Sequence, residues 1–488
     1  MSKLQKESET EPFDSPGVLA RIAARMTELS EKWLPDAFVF ALAATAIVVV
    51  FGLTAGGAGA VQIAEVWGSG FWSLIPFTLQ MALIVITGTV VATAAPVRRI
   101  VEGLAGIPAT PRGAVVFVAV ASMVSSWFNW GFGLVFSAVL ARAVARRVPR
   151  VDYRTLAATT LLGLGSIWAQ GLSGSAALQM ATAGSLQPAI RTIIQKGGGA
   201  GVPEIPNGII PLTHTIFLWQ SLASVVIEIA VVSIVIFLAT PTGSRVKTSA
   251  DLGIDLAETS AGGTAEARTP GEWLEHRGWM NLLVVLLGGG YLARMLWNAA
   301  QAHNIANAIT LNTLNLFFLT LGFALHGTPA RLMRAFREAT PAVWGLLLQF
   351  PFYAGISAII TDTHLNSRIA AMFTRIATPA TYPPLVAAYS ALLGVFVPSG
   401  GSKWVIEAPY VLQAAHDLRV HLGWMVAVYD LGEALANLVQ PFWMLPVLAM
   451  LGLKARDIMG ITFTVFVVLV PVVLILVTLL GLTLGYPL

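Results

Sequence analysis

Two apolar stretches of this chain are interrupted by residues that break helices and offer polar atoms, Asn129-Trp130-Gly131-Phe132-Gly133 in one and Pro398-Ser399-Gly400-Gly401 in the other. Backbone released from a helix inside hydrocarbon leaves N–H and C=O groups unpaired at several kcal/mol each, so such breaks persist only where they face protein, water or a ligand. A helix that starts at a break presents its first N–H groups and the positive end of its dipole, which suits a carboxylate, and glycine allows close backbone approach. Around the first tip stand Asn129, Trp130, Gly131 and Gly133, with Ser173, Gly174 and Ser175 from a further interrupted stretch. Around the second stand Ser399, Gly400, Gly401, Ser402 and Lys403, with Asn437 and Gln440. These residues are the substrate-binding candidates. Hydroxyl and amide oxygens also suit a sodium ion, and the candidates for a coupling ion, Na⁺ or H⁺, are Asn129, Ser173, Ser175, Ser399, Asp430, Glu433 and Asn437. The competing reading is that small residues merely let helices pack closely in the membrane.

Charges within apolar stretches cost a few kcal/mol each at the bilayer centre and mark a pathway or a partner. Lys403 is placed either to counter an anionic substrate or to pair with Glu407 one turn on; Asp430 and Glu433 share the stretch that carries Asn437 and read as cation or proton sites. Glu228 reads as structural, and Arg294 as snorkelling to the outer interface. The seven histidines show no metal spacing; His214, His303 and His326, near segment ends, read as interfacial. No nucleophile elbow, phosphate loop or zinc-protease helix occurs, so no catalytic residues, cofactor or metal beyond Na⁺ are expected, and the chain does not read as an enzyme. The absence of cysteine excludes a disulfide framework, a thiolate metal site and a Cys nucleophile. Trp33, Trp67, Trp72, Trp273 and Trp279 read as belt residues, Trp130 and Trp404 as pocket lining.

The elements that must hold these residues follow from composition. With 488 residues, 56% hydrophobic and only 11% charged, the chain is an all-α polytopic membrane protein. Stretches able to cross ~30 Å of hydrocarbon lie at 36–54, 71–94, 155–183, 213–240, 280–298, 308–326, 341–362, 424–452 and 458–483, giving nine crossings. The broken stretches 113–141 and 383–413 then read as two re-entrant helical hairpins. Arginines flank both ends of the first, Arg98, Arg99 and Arg112 before it and Arg142, Arg146, Arg147, Arg150 and Arg154 after it, so both ends want the cytoplasm. With the N-terminus inside and the C-terminus external, 22 of the 29 basic residues fall in cytoplasmic segments. The basic residues thus report membrane topology rather than nucleic-acid binding.

Residues 1–33 read as a cytoplasmic segment with an amphipathic helix from Pro16 to Trp33 and no cleavable signal; 34–240 as a first transmembrane repeat; 241–279 as a cytoplasmic linker; 280–307 as a connecting helix and loop; and 308–488 as a second repeat. One offset of about 269 residues relates Gln80 to Gln349, Asn129 to Pro398, Gly131 to Gly400 and Gly171 to Gln440. The repeats would start on opposite sides. Inverted repeats with paired broken helices place substrate at the repeat interface near the midplane.

The runs Trp67-Gly68-Ser69-Gly70-Phe71-Trp72, Asn129-Trp130-Gly131-Phe132-Gly133-Leu134, Gly171-Leu172-Ser173-Gly174-Ser175, Gln349-Phe350-Pro351-Phe352-Tyr353-Ala354-Gly355, Pro398-Ser399-Gly400-Gly401 and Gln440-Pro441-Phe442-Trp443 are collinear with one known pattern. By them the chain resembles the bacterial short-chain fatty acid transporter family, from Trp33 nearly to the C-terminus. The resemblance implies ion-coupled uptake of small monocarboxylates such as butyrate or acetoacetate across the cell inner membrane. Through the wider ion-transporter superfamily it also implies a homodimer and elevator-like movement of the hairpin-bearing part. The chain departs from the pattern after the second tip, where Ser402-Lys403 and Glu407-Ala408-Pro409 stand in place of neutral polar residues, which leaves open another small organic anion such as a dicarboxylate or an amino-acid-like substrate. An anion channel is the remaining alternative.

Overall fold

The computed structural model describes residues 37–196, 205–256, 269–302, 305–397, 399–440 and 443–488. The amphipathic helix expected at Pro16–Trp33, Gly262 and Gly263 of the linker, His303, Pro398 and Pro441 lie outside the described residues. Among the described residues the regular structure is all helical, with no strand.

Among the described residues, six helical stretches are long and apolar enough to cross a membrane: Ile75–Ala92, Pro111–Phe128, Trp219–Ala239, Pro270–Gln301, Pro329–Asp362 and Ala455–Gly481. Five match expected crossings, and Pro111–Phe128 is the first arm of the first hairpin. The expected crossings 155–183 and 424–452 are not continuous. The first runs through Tyr153–Thr159, a π-helical turn Gly163–Ile167 and a 3₁₀ turn Trp168–Gln170, then resumes as Ser175–Ala181; the second runs as Leu422–Ala436 and resumes as Met444–Leu451.

Local chemistry sets these boundaries. Thr110 accepts from the Gly113 N–H at 3.1 Å with Pro111 following it, an N-cap that starts the first arm. Asn129 then ends that arm and starts Trp130–Arg147: its extended backbone breaks the helix, and its side-chain oxygen accepts from the Phe132 N–H at 2.9 Å. Asp152 caps Tyr153–Thr159 through the Thr155 N–H and also accepts from the Lys247 N–H at 2.9 Å, which ties the start of the linker to the hairpin base.

Both hairpins have antiparallel arms of different build. In the first, Gly133 leaves no room for a side chain against Ser126, and Ser122 and Ser137 on opposite arms both donate to the Thr160 carbonyl, at 3.0 and 3.2 Å. Small residues bring these backbones together. In the second, Tyr382–Phe396 and Gly400–Asp417 are held apart and joined by long side chains: the Tyr382 hydroxyl donates to the Val411 carbonyl at 2.9 Å, and the hydroxyls of Tyr389 and Tyr410 lie 2.8 Å apart.

Helix starts recur at the offset of about 269 residues: Ala60–Gly70 with Pro329–Ala339, Ile75–Ala92 with Trp344–Asp362, Tyr153 with Leu422, and Ser175 with Met444. Five short helices, Ala60–Gly70, Ala95–Leu104, Pro188–Lys196, Pro329–Ala339 and Leu365–Ile376, lie outside the expected crossings and hairpins, in stretches too short to cross the bilayer that read as connections. Trp67 also departs from expectation. Instead of facing an interface, it packs on Phe71 and Phe352, with ring centroids 4.8 and 6.0 Å away, and covers Gly355.

Candidate functional site

The two interrupted stretches meet in the buried core. Asn437 donates to the Leu164 carbonyl at 3.1 Å inside the π-helical turn and accepts from Gln440 at 3.0 Å, while Gly165 leaves no room for a side chain against Leu438. π-helical turns release backbone groups for local use, and this one supplies the carbonyl that joins the halves.

The first tip is closed by its own neighbours. The Trp130 N–H donates to the Ser173 hydroxyl at 2.9 Å, the Phe132 N–H to Asn129, and the Gly133 N–H to the Asn129 carbonyl at 2.8 Å. The break at Gly171 to Gly174 docks on the same tip, with the Leu172 N–H donating to the Trp127 carbonyl at 2.7 Å; glycine is required at Gly171, where a side chain would strike that carbonyl. Gly131 faces the backbone of Val85 in Ile75–Ala92, and Gly174 faces the Ala169 carbonyl. Asn129, Gly131, Gly133, Ser173 and Gly174 therefore build the tip instead of lining an open space.

The second tip is open. Ser399 starts Gly400–Asp417 without a side-chain capping bond, and the first residues of that helix border a narrow cavity of about 20 Å³. Trp130, Ser175, Ser399, Gly400 and Gly401 line it, joined by Trp168 and Trp443; Met81, Leu164, Leu346 and Phe350 supply an apolar wall. Trp130 lies edge-on to Trp168 and Trp443, with centroids 6.0 and 5.1 Å away. Ser175 is 1% exposed, and its hydroxyl has no protein partner; nor do the indole N–H groups of Trp130 and Trp168. A buried polar group without a partner costs about 1–3 kcal/mol, so these residues leave hydrogen-bonding capacity unused beside the cavity.

The remaining candidates lie behind this cavity. Ser402 donates back to the Ser399 carbonyl at 3.3 Å. Lys403 points away from the cavity to Glu433 at 2.5 Å and Glu407 at 3.5 Å, and Asp430 is buried on the same helix as Glu433. Trp404, expected to line the pocket, is not among its lining residues: it is buried on the Tyr429 ring of Leu422–Ala436, with centroids 4.6 Å apart. Glu228 is buried and accepts from Gln170 at 2.7 Å, and Arg294 is exposed.

Sequence reasoning did not propose Trp168 and Trp443 as site residues. The available signal was their distance from the breaks, since Trp168 precedes Gly171 by one turn and Trp443 closes the run that begins at Gln440.

Compared with known proteins, residues 18–480 match the family described as short chain fatty acid transporter. Two curated relatives carry the name "Putative short-chain fatty acid transporter". The one from Escherichia coli K12 is 36% identical over 448 residues, spanning 92% of this chain and 96% of its own. The one from Haemophilus influenzae is 33% identical over 460 residues, spanning 94% and 99%. Among solved structures, the YdaH transporter of Alcanivorax borkumensis superposes with a TM-score of 0.60 at 14% identity, covering 92% of this chain and 99% of that one. MtrF of Neisseria gonorrhoeae, described with a class of antimetabolite efflux pumps, gives 0.60 at 13%, covering 95% and 98%. At that identity the likeness shows a shared fold.

Proposed function

The chain belongs to the short-chain fatty acid transporter family, and we propose that it takes up small monocarboxylates such as butyrate or acetoacetate as an ion-coupled secondary transporter. The observation that carries this reading is the cavity at the open tip. Its polar end offers uncapped helix N–H groups at Gly400 and Gly401, the Ser175 hydroxyl and two indole N–H groups, a set of donors suited to one carboxylate. Its other end is Met81, Leu346 and Phe350, suited to a short aliphatic tail. No cationic side chain is among the lining residues, so the charge is met by the helix dipole and neutral donors. A second carboxylate would meet only the apolar wall, which favours a monocarboxylate over a dicarboxylate.

The recurrence of helix starts supports two related halves, read as inverted repeats with re-entrant hairpins. In this reading the hairpins and interrupted crossings move the cavity across the inner membrane past Ile75–Ala92 and Trp344–Asp362, with the N-terminus cytoplasmic and the C-terminus external. A cation or proton moving with the anion offsets the cost of burying its charge. A homodimer fits as well, with the outward leucines of Trp279–Gln301, Leu283 and Leu287, free to meet a second copy.

The test is uptake of radiolabelled butyrate and acetoacetate into proteoliposomes, measured against protein-free liposomes with succinate as competitor. Saturable, protein-dependent uptake that resists succinate is expected. Uptake abolished by succinate would move the substrate to dicarboxylates, and current without counterflow would make the protein a channel.

A further inference from the structure

The Lys403 ammonium sits in a nest of oxygens that resembles the ligand shell of a metal ion. Its Nζ lies 2.5 Å from the Ser390 carbonyl, 2.8 Å from the Ser390 hydroxyl, 2.5 Å from a Glu433 carboxylate oxygen and 3.5 Å from Glu407, and 4.9 Å from the centre of the Tyr429 ring. These groups come from three helices, Tyr382–Phe396, Gly400–Asp417 and Leu422–Ala436. Lys403 and its two carboxylate partners have side chains at most 2% exposed. The place is built for close approach. A side chain at Gly394 would come within 2.8 Å of the Glu433 carboxylate, and one at Gly400 within 3.1 Å of its Cγ. The nest therefore backs directly onto the open tip.

A carbonyl, a hydroxyl and two carboxylates are the oxygen donors that hard cations take. We infer that this is a monovalent-cation site filled by a tethered ammonium: Lys403 serves as the protein's own cation behind the tip, so that no sodium ion binds there and carboxylate transport does not require one. The ammonium supplies one positive charge to two buried carboxylates, as a bound Na⁺ would, and unlike Na⁺ it cannot leave. A buried carboxylate deprived of its partner is strongly destabilising. Removing the ammonium therefore empties a preformed site and leaves it with an affinity for Na⁺.

The experiment compares purified wild type and Lys403→Ala in Na⁺ and in choline, by thermal unfolding and by butyrate counterflow in proteoliposomes. The wild type should unfold at the same temperature in both salts and run counterflow without Na⁺. The variant should unfold several degrees lower than wild type in choline and regain a few degrees in Na⁺, since a ligand of the native state alone raises Tm with its concentration. A wild type whose counterflow needs Na⁺, or a variant indifferent to Na⁺, overturns the inference. If Lys403→Ala does not fold, Lys403→Gln takes its place in the thermal arm, and the wild-type arm decides if both fail. Absence of butyrate counterflow in every condition counts against the proposed substrate instead, and the thermal arm then still tests the cation site.

Discussion

Ser175 and Gly401 meet where the two halves touch, and they define the most direct tests at the residue scale. The Ser175 hydroxyl is buried, unpartnered and on the cavity wall. A hydrogen bond to a charged group contributes about 1.5–3 kcal/mol, so Ser175→Ala should raise the half-saturating butyrate concentration roughly tenfold or more with the maximal rate less affected. An unchanged uptake curve would remove Ser175 from the site. A Cβ at Gly401 would lie 3.0 Å from the Ser175 Cβ and 3.2 Å from the Phe77 ring, so Gly401→Val should abolish uptake by filling the carboxylate end. Gly131→Val should fail differently. Its side chain would press on the Val85 backbone at 3.3–3.4 Å, away from the cavity, so transport should be lost through a displaced first tip and not through a filled site. Full uptake in Gly131→Val would show that the first tip tolerates the displacement.

Helix ends carry the predictions at the scale of elements. Asn129 closes the first tip with its side chain, and Asn129→Ala should destabilise by about 1 kcal/mol, the usual cost of a lost N-cap, read as a small drop in Tm. His421 caps Leu422–Ala436 by accepting from the Trp424 N–H at 2.9 Å, and it stacks on His214 with ring centroids 6.0 Å apart in the connection between hairpin and helix. Burial, and after it His214, pushes His421 from the usual 6.5 down to about 4. Between those values the unfolded chain holds a proton that the folded chain releases, so stability rises with pH across the window and is lost as pH falls through it. In His421→Asn, which keeps an acceptor for the cap, the dependence of Tm on pH between about 4 and 6.5 should flatten; a profile matching wild type would assign the acid sensitivity elsewhere. Break positions were legible at this scale because Asn, Pro and Gly act locally. The short amphipathic helices were not, since two or three turns give too few apolar positions for a helical period to stand out between crossings.

At the scale of the whole molecule, the cavity has walls from parts that the proposed mechanism moves past each other. Ser399 belongs to the second hairpin, and Leu346 to Trp344–Asp362, on the other side of the cavity. Because the chain has no cysteine, a Leu346→Cys/Ser399→Cys pair introduces the only thiols. A short bifunctional crosslinker should stop butyrate counterflow in that pair, reductive cleavage of the linker should restore it, and neither single variant should respond. Full counterflow in the crosslinked protein would mean that hairpin and scaffold do not slide against each other.

The amino-acid sequence by itself determined that this is a helical membrane protein, where its helices break and to which family it belongs. Hydrophobic length, helix-breaking residues and collinear motifs are local properties that need no partner to be read. Which tip is open, and where each charge points, only the tertiary structure decided. Ser173 and Asn129 close one tip across a separation of 44 residues, and nothing at Ser399 does the same for the other. Lys403 looks from its position like a counter-charge for the substrate, yet Ser390 and Glu433, brought in from two other helices, draw it to the opposite side of its own. A side chain with four rotatable bonds goes where its strongest partners are, and those partners are set by packing between helices distant in the sequence.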